Sequence, residues 1–170
     1  MDLKNELGLD LAIKTREHEC LLNIVYTGTM LNKSAGRYFS GYGITETQFN
    51  VLMLLKYALA DGLSQVALSK RLVVNKADMT GIIDRLEKKR LAERLADKND
   101  RRINLIKITA KGKEILSKVE KNYFEHVQRL LAGCSKTEIN ALIHGSEKIR
   151  SNLRRSVNPF IMQGDDINRD

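Results

Sequence analysis

The sequence predicts a mainly α fold with a small β-hairpin, and three observations carry that prediction. Residues 64–89 hold two short helical patterns separated by a tight turn. Two strand-like runs, 91–96 and 103–108, follow directly and flank six polar or charged residues, 97–102, as a hairpin tip requires. Longer helical patterns lie on both sides, in a chain of 170 residues with one proline and 5% aromatic residues, a composition that disfavours a β-sandwich. The combination reads as a winged helix-turn-helix lobe over 44–113, helical regions over 1–43 and 114–157, and a loose tail over 158–170.

Each element has a local reason. Residues 1–15 carry Leu7, Leu9, Leu11 and Ile13, enough for a short amphipathic helix or an arm across a partner. From 15 to 39, Cys20, Leu21, Ile24, Val25, Met30 and Leu31, with Tyr26 beside them, form a stripe wider than one neighbour needs, so this helix should be buried on two sides. Gly41, Tyr42 and Gly43 end it. Thr45 and Gln48 form a capping box for a helix to about 57 that buries Phe49, Leu52, Met53 and Leu55. Asp61-Gly62 breaks the chain. Ser64 caps the next helix, residues 72–74 turn, and Asn75 caps the second helix of the motif, with Asp78 in its dipole-favoured first turn.

In that second helix Met79, Ile82, Ile83 and Leu86 fall on one face at i, i+3, i+4 and i+7. The opposite face, Ala77, Asp78, Gly81, Asp84, Arg85 and Lys88, is small and polar and can lie against another surface. After the hairpin, Thr109 caps a long helix to about 131 and Gly133 ends it. Ser135 to Glu138 is a second capping box, opening a helix to about 155 with Ile139, Leu142, Ile143, Ile149 and Leu153 as its apolar stripe. Phe160, Ile161 and Met162 in the tail either dock on a partner or stay unstructured.

The net charge of +8 is segregated. Residues 64–113 hold 14 Lys/Arg against 6 Asp/Glu, whereas the rest of the chain holds 15 of each. All the excess positive charge therefore sits where a polyanion would dock on the helix-turn-helix and hairpin. Cys20 and Cys134 lie far apart without a CxxC, which excludes a disulfide framework and zinc-ribbon spacing and fits a reducing compartment. The absence of a signal-peptide pattern or a membrane-length apolar run points to the cytoplasm. Glu17, His18 and Cys20 are metal-ligand types, but i, i+2 spacing on a helix points side chains apart, so no metal site is expected. No Ser/His/Asp set, phosphate loop, nucleotide-binding glycine motif or acid pair is present, so neither enzyme nor cofactor is expected. A winged-helix protein-interaction module would keep the fold, but would need neither the hairpin arginines nor the segregated charge.

The run ITETQFNVLMLL, followed by LSQVALSKRLVVNKADMTGIIDRLEKKRLAERLADKNDRRINLIKITAKGKEIL, resembles the MarR family of transcriptional regulators over roughly residues 44–116. The most specific pieces are the hairpin tip 97–102, Thr109 with Gly112, and Thr80 with Asp84-Arg85-Leu86-Glu87-Lys88. The resemblance implies a homodimer with interlocked terminal helices whose two lobes straddle a pseudo-palindromic operator in double-stranded DNA. That agrees with terminal helices too apolar for a monomer. It also implies a repressor released by a small phenolic or aromatic ligand. Two departures stand out: Arg90 occupies the position after the recognition helix where the family usually has Gly, and Gly81 stands where many relatives carry a longer side chain.

On this reading the DNA-contacting residues are Ser64, Gln65, Lys76, Ala77, Asp78, Thr80, Gly81, Arg85, Lys98, Asn99, Arg101 and Arg102. Ser64 could bond a phosphate or serve only as a cap. Asp78 could accept from a cytosine or only cap its helix. Arg85 could reach a guanine edge or a phosphate, or pair with Asp84 or Glu87. Arg102 aligns with the family's minor-groove arginine, Asp100 with the acid that orients it, and Lys98, Asn99 and Arg101 fit phosphate contacts. Tyr26, Met30, Arg37, Tyr38, Tyr42 and Gln48 either line the effector pocket or pack a hinge. Cys20 lies in the helix where some relatives sense oxidants, which makes a thiol-based redox-sensing regulator the alternative reading, although it stands about one residue out of register and Ala35 and Glu46 stand where the partner tyrosines would be. A buried cysteine there would be inert.

Overall fold

The computed structural model describes Leu3, Glu6 and residues 13–58, 62–97 and 104–157. In chain order the elements are α1 (Arg16–Ser40), α2 (Glu46–Lys56), β1 (Leu63–Ser64), α3 (Gln65–Leu72), α4 (Lys76–Lys88), β2 (Ala92–Ala96), β3 (Asn104–Ile108), α5 (Ala110–Leu130) and α6 (Lys136–Val157). One compact unit reaches to Tyr123, and a second begins at Phe124.

The caps set the boundaries. Thr15 accepts from His18 N–H at the start of α1. The box at α2 is complete: Gln48 N–H donates to Thr45 Oγ1 at 3.2 Å, and Thr45 N–H donates to Gln48 Oε1 at 3.1 Å. Ser64 and Asn75 cap α3 and α4. Thr109 Oγ1 accepts from Gly112 N–H and donates to Arg90 O, tying the start of α5 to the end of α4. Ser135 and Glu138 cap α6 reciprocally. The bonds from Ser135 Oγ and N–H hold the Glu138 carboxyl below its usual pKa.

Helix α4 ends in a Schellman turn. Leu91 N–H reaches Leu86 O and Arg90 N–H reaches Glu87 O, with Arg90 left-handed at φ +60. Arginine thus adopts the conformation that glycine would take without strain. The same happens after α3, where the β-branched Val73 sits at φ +53.

The sheet has three antiparallel strands in the order β1-β3-β2, with Leu63 opposite Ile106 and Arg94 opposite Ile106 on the other side. The hairpin strands agree with expectation, but β1 is an addition. Gly62 is needed to bring it in: at φ +91, a Cβ there would lie 2.4 Å from Ile106 O. Gly112 is equally constrained, since a Cβ would lie 2.1 Å from Leu91 O.

The core joins α2, α3, α4 and the sheet to the first half of α5. The whole predicted stripe of α4, Met79, Ile82, Ile83 and Leu86, is buried in it. In α2, Val51 is fully buried, whereas Met53, expected inside, is only partly covered. Tyr38, Phe39, Tyr42, Phe49 and Tyr123 form an aromatic cluster, with ring centroids 4.8 Å apart for Phe39 and Phe49 and 5.1 Å for Phe49 and Tyr123. It ties the end of α1 to α2 and α5.

Among the described residues α1 is not buried on two sides. Of its side chains only Phe39 is buried, and Leu21, Ile24, Val25, Met30 and Leu31 are exposed. Helix α6 buries none. Among the described residues, no helix is long and apolar enough to cross a membrane.

Candidate nucleic-acid interface

The site is built on two helix N-termini held side by side. Gln65, first residue of α3, donates from Nε2 to Thr80 Oγ1 and to Lys76 O at 3.2 Å. Thr80 Oγ1 in turn donates to Lys76 O at 3.0 Å. The brace fixes α3 against the first turn of α4, so both helix ends, where backbone N–H groups and the dipole favour anions, form one rigid corner. Gln65 and Thr80 were anticipated as DNA contacts; the bond between them was not.

Ser64 accepts from Ala67 N–H at 3.2 Å as the cap of α3. Asp78 is engaged locally: its N–H donates to Asn75 Oδ1 at 2.8 Å, and its Oδ2 accepts from Asn75 Nδ2 at 2.6 Å. That places its carboxylate in the capping arrangement. Lys76, Ala77, Asp78 and Thr80 are exposed along α4, and Gly81 is half-buried.

The expected alternative partners of Arg85 are taken by another residue. Arg94, on β2, donates from Nη2 to Asp84 Oδ1 at 2.6 Å and from Nη1 to Glu87 Oε2, and its own N–H reaches Glu87 Oε1 at 3.0 Å. The clamp joins the recognition helix to the hairpin and uses both acids of the helix's second half. Arg85 instead lies over Gly81, its Nη1 3.4 Å from where a Cβ on that glycine would be. Sequence reasoning missed Arg94. The cue was its place on a strand that must pack beside a helix carrying two acids three residues apart.

Lys98, Asn99, Asp100, Arg101 and Arg102 lie outside the described residues. The strands β2 and β3 on either side of them are paired along their length.

The six candidate pocket residues do not make one wall. Tyr26 stands twelve residues before Tyr38 on α1, about 18 Å along a helix axis. Met30 and Arg37 are exposed. Gln48 is buried, and its carboxamide oxygen serves Thr45 N–H and, at 3.5 Å, Lys89 Nζ, so it packs a cap. Tyr38 and Tyr42 do meet, with centroids 5.4 Å apart. Tyr38 donates to Val119 O, and Asn122 Nδ2 donates to Tyr42 Oη. The bond from Asn122 is the main cause that lowers the Tyr42 hydroxyl from its usual pKa. Cys20 is exposed in the single chain, not buried. Among the described residues no group of His, Cys, Asp and Glu could hold a metal ion.

A braced helix pair, a clamped two-stranded wing and a concentrated positive charge define a winged helix-turn-helix protein. Residues 44–103 match the MarR family model. The chain is 31% identical over 120 residues to the HTH-type transcriptional repressor YetL of Bacillus subtilis, spanning 71% of this chain and 72% of that protein. It is 30% identical to the transcriptional activatory protein BadR of Rhodopseudomonas palustris, over 74% of this chain and 73% of that one. Wild-type apo MarR from E. coli superposes with a TM-score of 0.63 at 27% identity, covering 76% of this chain and 96% of that one. The chain belongs to the MarR family: it is a transcriptional regulator, not an enzyme.

Proposed function

We propose that two copies of this chain form a homodimer that binds a pseudo-palindromic operator in the cytoplasm as a repressor, released by a small aromatic or phenolic ligand. The carrying observation is where apolar surface remains uncovered. Of fifteen large apolar side chains exposed among the described residues, ten lie on α1 or from Leu130 onward: Leu21, Ile24, Val25, Met30, Leu31, Leu130, Leu131, Leu142, Ile143 and Leu153. These side chains are 40–60% exposed, so covering the rest of each is worth about 0.7–1.5 kcal/mol, and exposed apolar surface of this kind marks interaction sites. A cleft of about 370 Å³ lined by Leu131, Ile139, Leu142, Ile143, Ser146 and Arg150 offers a second copy a seat. A dimer would set two α4 helices about one DNA turn apart, ~34 Å, as two half-sites require.

Each lobe then places α4 in a major groove and the hairpin tip over the neighbouring minor groove. Ser64, Gln65, Lys76 and Thr80 face the backbone at the braced corner. Arg102 enters the minor groove, Asp100 orients it, and Lys98, Asn99 and Arg101 contact phosphates. The effector reading rests on the Tyr38–Tyr42 pair beside the lobe, and such a ligand must favour one lobe spacing over the other to act. The repressor sign follows YetL; BadR, a named activator, has the opposite sign.

Footprinting of the protein on its own upstream region should protect two half-sites and lose that protection with an effector. Arg102→Ala should weaken operator binding about 10- to 100-fold, a minor-groove contact being worth a few kcal/mol, with an unchanged Tm. Unaltered affinity in a gel-shift titration removes Arg102 from the contact set.

A further inference from the structure

The outer face of α4 carries no long side chain at its centre. Ala77 is short, Asp78 is held by Asn75, Thr80 is held by Gln65, and Gly81 has no side chain. Arg85 occupies the space that Gly81 leaves. Its Nη1, Nη2 and Cζ lie 3.4, 3.8 and 3.9 Å from a Cβ position on Gly81, so the guanidinium rests on the helix one turn toward the N-terminus. That is the direction in which helical side chains lean. Arg94 removes the competition by pairing with both flanking acids, Asp84 and Glu87. Among the described residues no carboxylate pairs with Arg85.

Resting on the reading of α4 as the major-groove helix, we infer that Arg85 is the specificity-determining residue of this regulator. Seated on Gly81, it donates two N–H groups to O6 and N7 of one guanine in each half-site. The planar fork of arginine matches that pair of acceptors. Holding the fork against the helix before binding reduces the side-chain freedom that docking must remove. Gly81 is therefore a seat, and Arg94 is a positioning residue that keeps the seated cation unpaired. The flexible-cation alternative, in which Arg85 touches a phosphate, predicts no base preference.

Selection of bound sequences from a randomised half-site library tests this, with gel-shift titration across salt. The wild type should enrich guanine at one position per half-site by about 10- to 100-fold over other bases. Arg85→Ala should erase that preference while the remaining positions of the motif stay enriched. Gly81→Ala, whose Cβ meets Arg85 at contact distance, should raise the Tm, because alanine favours the helix. Gly81→Leu should lose the preference by displacing the guanidinium. In the Arg85→Ala background, Gly81→Leu should cost no further discrimination, which separates a lost seat from added bulk. An Arg85→Ala protein with unchanged guanine preference overturns the inference and leaves the regulator reading intact. So does a uniform loss of affinity with a salt slope reduced by about one unit, the signature of a phosphate contact. A wild type that enriches no sequence overturns both.

Discussion

The winged lobe and the terminal helices are built from the same kinds of residue and end in opposite states. Apart from Leu3, every buried hydrophobic residue described lies between Phe39 and Val119. There α2, α3, α4, the sheet and the first half of α5 close one core, and the polar face turns outward with the excess charge. Helix α6 is as well capped as α2 and as clearly amphipathic as α4, yet none of its described side chains is buried. Caps and periodicity decide whether a helix forms; they do not decide whether its partner is in the same chain. A lone amphipathic helix is marginal in water, so the cap and stripe of α6 make sense when its apolar face is completed from outside.

Breaking the terminal region should have the largest effect on function and the smallest on the lobe. Leu142→Arg places a charge in the uncovered stripe of α6. It should yield monomers and lower operator affinity at least about 100-fold, because the second half-site is no longer engaged intramolecularly. Wing and lobe should stay folded, seen as an unchanged near-ultraviolet spectrum from the aromatic cluster. A variant that remains dimeric by light scattering would remove Leu142 from the interface.

The converse break goes through the lobe. Gly112→Ala forces a methyl group onto Leu91 O, at 2.1 Å before relaxation. It should destabilise the protein by about 2–3 kcal/mol, lowering the Tm by roughly 5–10 °C. A Tm within about 1 °C of wild type would show that the α5 entry can shift at little cost.

The smallest effect sharpens the comparison without breaking either region. Arg90→Gly relieves the left-handed position after α4 and should stabilise the lobe by about 0.5–1 kcal/mol, measured by urea unfolding. A loss of stability would mean that the arginine side chain contributes more than its backbone strain costs.

The sequence and the structure agree most closely where the determinants are local. The boxes at Thr45 and Ser135, the caps at Ser64, Asn75 and Thr109, and the stripe of α4 are all read from neighbours within four residues. Disagreement appears where a long-range partner decides. Strand β1 is two residues long, too short for any periodicity, and exists because β3 pairs with it. Arg94 reads as one more surface cation until the sheet places it beside Asp84 and Glu87. Gln48 is the more polar of the two in sequence, yet it is sealed under the α2 cap while Tyr42 is half exposed. Burial of α1 could not be assigned to one chain or two, because its stripe looks the same in either case. The left-handed Val73, with no glycine to signal it, was likewise invisible.

Sedimentation equilibrium of the full chain at micromolar concentration tests the central claim most directly. A mass near twice 19.3 kDa, falling to one chain in Leu142→Arg, is the result expected if the terminal helices are completed by a second copy. A wild-type mass of 19.3 kDa across that range would contradict it.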